Sequence, residues 1–147
     1  MTEQGLEIAI TEAEVGRSEG GIPIGSCLVL DGEVVGRGRN RRVQGGSAVL
    51  HGEMDALENA GRLTPFQYRR STIYTTLSPC DMCTGAILLY RIPKVVIGEN
   101  RTFRGAEDLL RSRGVEVTVV DDERCVEMMT EFIVAEPELW FEDIGEV

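Results

Sequence analysis

The stretch STIYTTLSPCDMCTGAILLY, residues 71–90, changes from a strand pattern to a helix pattern without a linker between them. Its first part, residues 71–77, is rich in β-branched and aromatic side chains, which is typical of a buried strand. Ser78 then has the chemistry of a helix N-cap and Pro79 that of a first helical residue, which predicts a helix running to about Tyr90. A strand followed directly by a helix is the repeating unit of α/β proteins.

The rest of the chain shows the same alternation after an initial hairpin. Strands are predicted at IPIGSCLVL, at EVVGRGRN, at KVVIG (94–98) and at VEVTVV (115–120), and the dipeptide DG (31–32) predicts a tight turn between the first two. Helices are predicted at LEIAITEA, from near His51 to about Gly61, near AEDLLRSR and at DDERCVEMMTEFIVA, with PELWFEDIG as a short terminal element. We therefore expect an α/β fold, a three-layer α/β/α sandwich in which a mixed five-stranded sheet has helices on both faces.

Length and charge limit the possible classes of function. A chain of 147 residues is expected to form a single domain spanning residues 1–147. Its net charge of −10 would repel a polyanion, so no nucleic-acid partner is expected. The sequence has no apolar run of the roughly 20 residues that cross a bilayer, and its acidic beginning, MTEQGLEIAI, lacks the basic segment of a signal peptide. We therefore expect no membrane partner and a cytoplasmic location, or a nuclear one reached by diffusion.

The pair Cys80 and Cys83 is the first candidate for chemistry. Cytoplasmic cysteines stay reduced, so metal binding or catalysis is favoured over a disulfide. The two residues lie three apart at the start of the predicted helix, where they share a face and where the helix N-terminus favours thiolates. A metal site and a redox dithiol both use such thiolates, so the pair alone does not decide between them.

His51, the only histidine of the chain, favours the metal site. It begins a predicted helix, and helix starts of this kind gather with strand ends at one edge of a sheet. Cys27 and Cys125 stand alone in an apolar strand and in a helix, and we interpret both as buried small hydrophobes. The remaining ligands, His51, Cys80 and Cys83, are one fewer than a structural zinc site has and match a catalytic zinc with an open position.

Glu53 lies two residues after His51. Residues two apart on a helix point in nearly opposite directions, about 200° around the axis, so both can serve one site only if that site lies over the helix end. There the Glu53 carboxylate would accept and donate protons beside a zinc-activated water. The alternative is a first-turn acid that only complements the helix dipole.

HGE (51–53) and PCDMC (79–83) match the H-x-E and P-C-x-x-C signature of the zinc-dependent nucleobase deaminases, which the chain therefore resembles. The stretches GGIPIGSCL, GSAVLHGE, YTTLSPCDMCTGAI, VVDDERC and WFEDIGE resemble more specifically the fungal-type cytosine deaminases. This resemblance implies a cytidine deaminase-like fold, one zinc ion (Zn2+) per chain, a homodimer, and hydrolytic deamination of free cytosine and of 5-substituted cytosines in pyrimidine salvage. The segment GAILLYRI is apolar around most of a helix, which fits burial on more than one side. Only the loop GRNRRVQGG is more basic than the resemblance leads us to expect.

The resemblance also implies roles for individual residues. Glu53 would be the proton shuttle, and the zinc ligands would be His51, Cys80 and Cys83. The substrate-binding residues would be Asn40, Gly52, Ser78, Phe103, Trp140, Phe141 and Asp143. In this scheme the Asn40 side chain and the Gly52 N–H bind the carbonyl side of the pyrimidine, and the Ser78 backbone carbonyl faces the exocyclic amine. The aromatic residues surround the ring, and Asp143 accepts the hydrogen of N1.

By position alone, the residues implied by the resemblance have simpler interpretations. Phe103 and Trp140 would be packing residues of the core. Asn40, at the end of a strand, would be a turn residue, which is the commoner role of asparagine. Asp143, close to the C-terminus, would be a solvated acid of the tail. What each side chain contacts in the folded protein distinguishes these interpretations from roles in a site.

Rival functions also stay open. Cytidine, guanine and tRNA-adenosine deaminases share the zinc motif, although the acidic charge counts against tRNA and the WFEDIGE tail favours a free base. A zinc-stabilised binding module is a rival from another class, but it has no use for Glu53 beside an open coordination position. A dithiol oxidoreductase leaves both His51 and Glu53 unexplained.

Overall fold

In the computed structural model, which describes residues 2–147 and side chains from residue 4 onward, five strands form one mixed sheet. The strands are β1 (Gly25–Leu30), β2 (Glu33–Arg39), β3 (Ser71–Leu77), β4 (Lys94–Glu99) and β5 (Glu116–Val119). They lie in the order β2-β1-β3-β4-β5. Strand β1 pairs antiparallel with β2 and β3, whereas β3, β4 and β5 run parallel to one another. The mixed five-stranded sheet predicted from the sequence is confirmed.

The turn between β1 and β2 also follows the prediction. Asp31 and Gly32 have φ values of 51° and 82°. Positive φ at both central residues is what a type I′ hairpin turn requires, and Asp-Gly tolerates it at little cost. This tight connection makes β1 and β2 neighbours at one edge of the sheet.

Helices connect and cover the strands. They are α1 (Thr2–Ser18), α2 (Arg42–Gly45), α3 (Gly52–Ala60), α4 (Pro65–Tyr68), α5 (Asp81–Tyr90), α6 (Glu107–Ser112), α7 (Glu123–Ala135) and α8 (Pro137–Asp143). The single-turn helices α2 and α4 were not predicted, because four residues are too few to show an apolar periodicity. The side chain of Asp122 caps α7 by accepting from the Arg124 N–H, as expected from the Asp pair at its start.

The helices form a layer on each face of the sheet. Alternate residues of the central strands point to opposite faces, so Cys27 and Tyr74 pack with α1 and α7, whereas Leu28 and Ile73 pack with α3, α5 and α6. Burial raises the pKa of both the Cys27 thiol and the Cys125 thiol to about 12, which confirms that these two cysteines act as small core hydrophobes. The predicted three-layer α/β/α sandwich is confirmed.

The predicted N-cap at Ser78 is wrong. The Ser78 N–H still donates to the Glu99 carbonyl of the neighbouring strand, so the chain stays extended beyond β3. The N-cap of α5 is Cys80, whose φ and ψ of −69° and 177° are those of an extended residue. This shift places Cys80 at the cap and Cys83 in the first turn of the helix.

The length and hydropathy of the described helices decide whether one of them could span a membrane. None of those within residues 2–147 is both long enough and apolar enough to cross a bilayer. The longest, α1, has 17 residues and covers one face of the sheet with a stripe of buried side chains. That stripe is Leu6, Ala9, Ile10 and Ala13, the residues whose spacing predicted the helix.

Candidate active site

Two helix starts meet at one edge of the sheet. His51 is the N-cap of α3 and Cys80 is the N-cap of α5, and in the described part of the chain neither side chain makes a capping hydrogen bond. The two side chains turn toward each other instead, with His51 Nδ1 lying 3.3 Å from Cys80 Sγ and 3.8 Å from Cys83 Sγ. All three ligand atoms lie within 4.8 Å of one another.

This donor set fits zinc. A tetrahedral zinc with bonds of about 2.3 Å to sulfur and about 2.0 Å to nitrogen places a sulfur and a nitrogen ligand about 3.5 Å apart. The two N···S distances, 3.3 and 3.8 Å, lie on either side of that value. One imidazole and two thiols are also the ligand types that zinc prefers. The three ligands predicted from the sequence are thus brought together.

The electrostatics of the two thiols favour a bound cation. A hydrogen bond from Cys83 is the main reason that the pKa of the Cys80 thiol is lowered to about 4; burial opposes the shift and His51 adds to it. The pKa of Cys83 is raised, first by its hydrogen bond to Cys80 and then by burial. The pair therefore holds one thiolate easily and resists a second. A divalent cation between them removes this conflict, because it stabilises both as thiolates.

His51 is oriented by a carboxylate from the C-terminal helix. Its Nε2 atom lies 3.2 Å from Oδ1 of Asp143. Burial lowers the pKa of His51, but Cys80, Asp143 and Glu53 together outweigh that effect and raise it to about 9. When Nε2–H donates to the carboxylate, the lone pair of Nδ1 faces the two sulfur atoms. A carboxylate behind a histidine ligand is the usual way in which proteins fix the ring and its tautomer.

Glu53 lies in the first turn of α3, buried beside the same ligands. Burial raises the pKa of its carboxyl to about 7, and the charge of Cys80 adds to the shift. A group that titrates near neutrality can both accept and release a proton. Since Glu53 and His51 line one cavity, the site lies over the end of α3, as the spacing of the two residues requires.

The site consists of an outer cleft and a smaller inner cavity. An outer cleft of about 600 Å³ is bordered by Arg42, Arg104 and Glu142, and its floor includes His51 and Cys80. Behind it lies a cavity of only about 10 Å³, roughly the space of one water molecule. The residues that line this inner cavity are Ile24, His51, Glu53, Leu77, Ser78, Cys80, Phe103, Trp140, Asp143 and Ile144.

Two of the three predicted aromatic residues wall the inner cavity. Phe103, from the loop between β4 and α6, meets Trp140 of α8 edge to face, with ring centroids 5.8 Å apart and an interplanar angle of 86°. The third, Phe141, is 42% exposed, and among the described residues it lines neither the outer cleft nor the inner cavity. Neighbouring helical residues point about 100° apart, so the inward direction of Trp140 turns Phe141 away.

Asn40 and Asp143, which are distant in sequence, form a direct contact. Asn40 is fully buried at the end of β2, and its Nδ2 atom donates to Oδ1 of Asp143 at 3.0 Å. Its own Oδ1 accepts the Arg42 N–H at 3.0 Å, so Asn40 closes a turn and belongs to the site as well. Asp143 is buried, and burial raises its pKa. The interpretation of Asp143 as a solvated tail acid is therefore wrong.

Gly52 and Ser78 lie on either side of this arrangement. Gly52 is the first residue of α3, and a Cβ atom there would lie 3.2 Å from the Ile24 carbonyl oxygen, so the helix start packs closely on the chain before β1. Ser78 lines the inner cavity. Its hydroxyl donates to Glu107 at 2.7 Å and accepts the Gly105 N–H at 2.9 Å.

The basic cluster at residues 37–42 is paired with acids. Glu12 binds Arg37 and Arg39, and Asp55 accepts both the Arg39 N–H at 3.0 Å and Arg41 Nε at 2.9 Å. Through these two hydrogen bonds, Asp55 holds Arg39 and Arg41, the residues on either side of Asn40, against α3. Pairing of this kind accounts for the basic loop without a bound phosphate.

Sequence reasoning missed several residues of the site. The apolar wall contributed by Ile24, Leu77 and Ile144 gave no signal beyond ordinary core patterning. Glu107 was missed because an acid in the first turn of a helix is typically a dipole-complementing residue. What distinguishes Glu107 from such an acid is its hydrogen bond with Ser78, which lies 29 residues away in the sequence and could not be paired with it from the sequence alone.

Comparison with known proteins gives a consistent result. Residues 1–99 match the family described as the cytidine and deoxycytidylate deaminase zinc-binding region. A cytosine deaminase of Candida albicans is 56% identical over 144 residues, which cover 97% of this chain and 96% of that protein. A tRNA-specific adenosine deaminase of Streptococcus pyogenes is 41% identical over 106 residues, covering 71% of this chain and 67% of that protein.

Solved structures show the same fold. A structure from studies of A-to-I editing by tRNA deaminases at the wobble position superposes with a TM-score of 0.72 at 26% identity, covering 86% of this chain and 99% of that one. The architecture, the His-Cys-Cys group and the similarity over nearly the whole length agree. The chain belongs to the zinc-binding cytidine and deoxycytidylate deaminase family, and within it to the fungal-type cytosine deaminases.

Proposed function

We propose that the protein catalyses the hydrolytic deamination of free cytosine to uracil and ammonia, and that it accepts 5-substituted cytosines. The observation that carries this proposal is the position of Asp143, which reaches from the C-terminal helix to contact both His51 and Asn40 at the inner cavity. A carboxylate at that place can recognise the N1–H of a free base. The 56% identity to a cytosine deaminase over 97% of the chain supports the same substrate.

The chemistry divides between a cation and the chain's own groups. A zinc ion held by His51, Cys80 and Cys83 would lower the pKa of a water molecule toward neutrality. Glu53 would accept a proton from the attacking water and deliver it to ring N3 of cytosine as the water oxygen adds to C4. Glu53 then passes a proton from the added hydroxyl to the amino group, which leaves as ammonia. Water and cytosine are thereby converted to ammonia and uracil with no other reactant.

The substrate would replace contacts that the protein makes with itself. Asn40 Nδ2 now donates to Asp143, and a pyrimidine would offer its carbonyl oxygen to Asn40 and the Gly52 N–H while its N1–H donates to Asp143. The Ser78 carbonyl would accept from the exocyclic amine. The inner cavity has the volume of about one water, so we propose that α8 and the Phe103 loop move to admit the ring, which makes product release a candidate for the slow step.

The other members of the family would fit this site less well. A ribose on N1 would clash with Asp143 and would replace the N1–H that donates to its buried carboxylate, which disfavours cytidine. The net charge of −10 opposes binding of tRNA, and the match to the tRNA-specific enzyme covers 71% of the chain against 97% for the cytosine deaminase. A binding module or a dithiol protein has no use for a buried carboxyl with a pKa near 7 beside the ligands.

A second copy of the chain is the partner we propose for the exposed end of α5. Leu89 on α5 is 70% exposed and Phe66 on α4 is 75% exposed. The two helices meet where Tyr68 of α4 stacks on Tyr90 of α5, with ring centroids 4.7 Å apart. Apolar side chains grouped in this way are typical of an interface, and an identical patch on a second chain would cover them as a homodimer. We propose further that residues 1–147 act as one domain with one zinc per chain, in pyrimidine salvage in the cytoplasm or nucleus.

Ammonia release from purified, zinc-loaded protein tests the proposal. Cytosine, cytidine, guanine and adenine are supplied separately at equal concentration. We expect turnover of cytosine and little or none of the other three. Equal turnover of cytidine and cytosine would contradict the role given to Asp143, and turnover of guanine or adenine alone would contradict the pyrimidine substrate.

A further inference from the structure

One buried carboxylate close to the site has no part in the chemistry described above. Glu107, the first residue of α6, is only 1% exposed. An acid that merely complements a helix dipole can do so in water, and burial of a charge is costly unless partners compensate for it. Glu107 has such partners: Ser78 Oγ donates to its Oε2 at 2.7 Å, and Asn100 Nδ2 donates to its Oε1 at 3.2 Å.

The outer side of the same carboxylate faces two arginines. Arg104 Nε and Arg111 Nη1 lie 3.8 and 3.6 Å from Oε1, and both side chains are half-exposed. These distances are longer than those to Ser78 and Asn100, and solvent screens the two exposed cations. The short hydrogen bonds on the inner side therefore define the position of the carboxylate.

Ser78 transmits this position in two directions. Because its hydroxyl oxygen accepts the Gly105 N–H at 2.9 Å, its own proton is directed to Glu107. Gly105 belongs to the loop that carries Phe103, and a Cβ atom at Gly105 would lie 1.8 Å from the Pro79 carbonyl oxygen. The loop is thus held directly against the chain between β3 and Cys80.

We propose that Glu107 is a positioning residue of the active site. Its carboxylate fixes the Ser78 hydroxyl, and through it both the Ser78 backbone at the inner cavity and the loop that places Phe103 against Trp140. The inference rests on the proposed function only where it concerns cytosine. The position of the Phe103 loop can be measured whether or not cytosine is the substrate.

Glutamine at position 107 isolates this role. Both carboxylate oxygens of Glu107 accept hydrogen bonds, one from Ser78 and the other from Asn100. A glutamine has the same shape but only one acceptor oxygen, so it cannot accept from both partners as they stand, and it lacks the negative charge that strengthens the hydrogen bond from Ser78. The double variant Asn100→Asp with Glu107→Gln restores the match, because the aspartate accepts from the glutamine amide and the glutamine oxygen accepts from Ser78. It also preserves the total charge.

The matched control is Asp108→Asn on the neighbouring residue. This change removes one negative charge, as Glu107→Gln does, from a side chain that is 83% exposed and pairs with the same Arg104. Asp108 has no contact with Ser78 among the hydrogen bonds of the described residues. An effect of Glu107→Gln that arose from net charge or from Arg104 alone would appear in this control as well.

The experiment has two readouts. Trp140 is the only tryptophan of the chain, so its fluorescence and its quenching by acrylamide report on the contact with Phe103. With zinc-loaded protein we expect Glu107→Gln to increase acrylamide quenching, and to raise KM for cytosine about tenfold, as loss of one buried hydrogen bond predicts, with kcat changed by less than about twofold. Zinc content should stay close to that of the parent, whereas the thermal midpoint should fall by a few degrees, because the weakened buried hydrogen bonds also stabilise the fold. Asp108→Asn should match the parent in both readouts, and the double variant should recover most of the loss.

Each outcome decides the inference. Unchanged acrylamide quenching in Glu107→Gln would overturn the positioning role of Glu107, whatever the substrate is. Absence of cytosine deamination by the parent protein would contradict the proposed function and leave the quenching test valid. A double variant as impaired as Glu107→Gln would also overturn it. If Glu107→Gln does not fold, Ser78→Ala is the deciding variant, because it removes the hydroxyl and leaves the Glu107–Asn100 contact. Acrylamide quenching equal to that of the parent would contradict the inference, and increased quenching would support it.

Discussion

The Nε2 atom of His51 and the Oδ1 atom of Asp143 lie 3.2 Å apart, which joins a zinc ligand near the middle of the chain to its C-terminal helix. The same oxygen accepts from Asn40 Nδ2 at 3.0 Å. One buried carboxylate therefore orients the His51 ring and, in the proposed function, also accepts a hydrogen bond from the substrate. The proposal then predicts that metal retention and substrate recognition are coupled through Asp143.

Replacement of Asp143 tests this coupling. We expect Asp143→Ala to lower cytosine turnover and to bind zinc about 10- to 100-fold more weakly, since loss of the partner of a histidine ligand has effects of that size. Purified protein should still contain zinc, but a chelator should remove it faster than from the parent. Glu142→Gln is the control, because that neighbouring side chain is 60% exposed and points to the outer cleft. Parent-like turnover and zinc release in Asp143→Ala would separate Asp143 from the site.

The zinc ligands are tested by elemental analysis. We expect about one zinc per chain in the parent, and loss of both metal and activity in Cys80→Ser, because a hydroxyl is a poor substitute for a thiolate ligand. Cys27→Ala and Cys125→Ala are the controls: both thiols are buried in the core away from His51, so these variants should retain zinc. A full complement of zinc in Cys80→Ser would mean that the ligands are assigned wrongly.

Glu53→Gln separates metal binding from proton transfer. The amide keeps the shape of the carboxylate but cannot accept and release the proton. We expect zinc content to stay at the parent value while turnover falls by at least the roughly 10²- to 10⁴-fold typical of general acid–base catalysis. Near-normal turnover in this variant would return Glu53 to the role of a helix-end acid.

The layers of the fold and the zinc ligands could be predicted because their signals are local. Alternation along the strands and the 3.6-residue spacing of Leu6, Ala9, Ile10 and Ala13 are properties of neighbouring residues. The grouping of His51, Cys80 and Cys83 could be predicted because zinc needs few residue types and the chain has only one histidine. Such patterns can be recognised without knowing which loops meet in the folded protein.

The features that were missed depend on contacts between distant segments. Ser78 looked like an N-cap because Ser before Pro usually is one, but its hydroxyl is taken by Glu107, which lies 29 residues further along the chain. Phe141 looked equivalent to Trp140, and only the way α8 docks decides which of them faces inward. The role of a side chain was therefore harder to predict than the element that carries it.

The proposed dimer predicts a specific effect of charge on α5. Leu89→Glu places a carboxylate in the apolar patch, where burial against a second chain would be costly, so we expect a shift from dimer to monomer. Val134→Glu is the control, since Val134 on α7 is 79% exposed and α7 packs on the opposite face of the sheet. Size-exclusion chromatography with light scattering gives the mass of each variant. A parent protein that is monomeric at assay concentration, or a dimeric Leu89→Glu, would contradict this interface.

The discrimination between base and nucleoside follows from where Asp143 lies. In cytosine N1 carries a hydrogen that the carboxylate can accept, whereas in cytidine N1 carries the ribose. The nucleoside cannot donate this hydrogen, so Asp143 would keep its contact with His51 but lose the hydrogen bond from the base. Loss of a buried hydrogen-bond partner costs about 1–3 kcal/mol before any steric clash is counted.

We therefore expect kcat/KM for cytosine to exceed that for cytidine by at least about 5-fold, which corresponds to the lower end of that cost, and by more where the ribose clashes. A chain ending before Trp140 lacks both the Phe103 contact and Asp143, and should lose most of its cytosine turnover. If that truncated chain instead retained cytosine turnover while gaining cytidine turnover, α8 would act only as a barrier to the ribose, and Asp143 would make no contribution to binding the base.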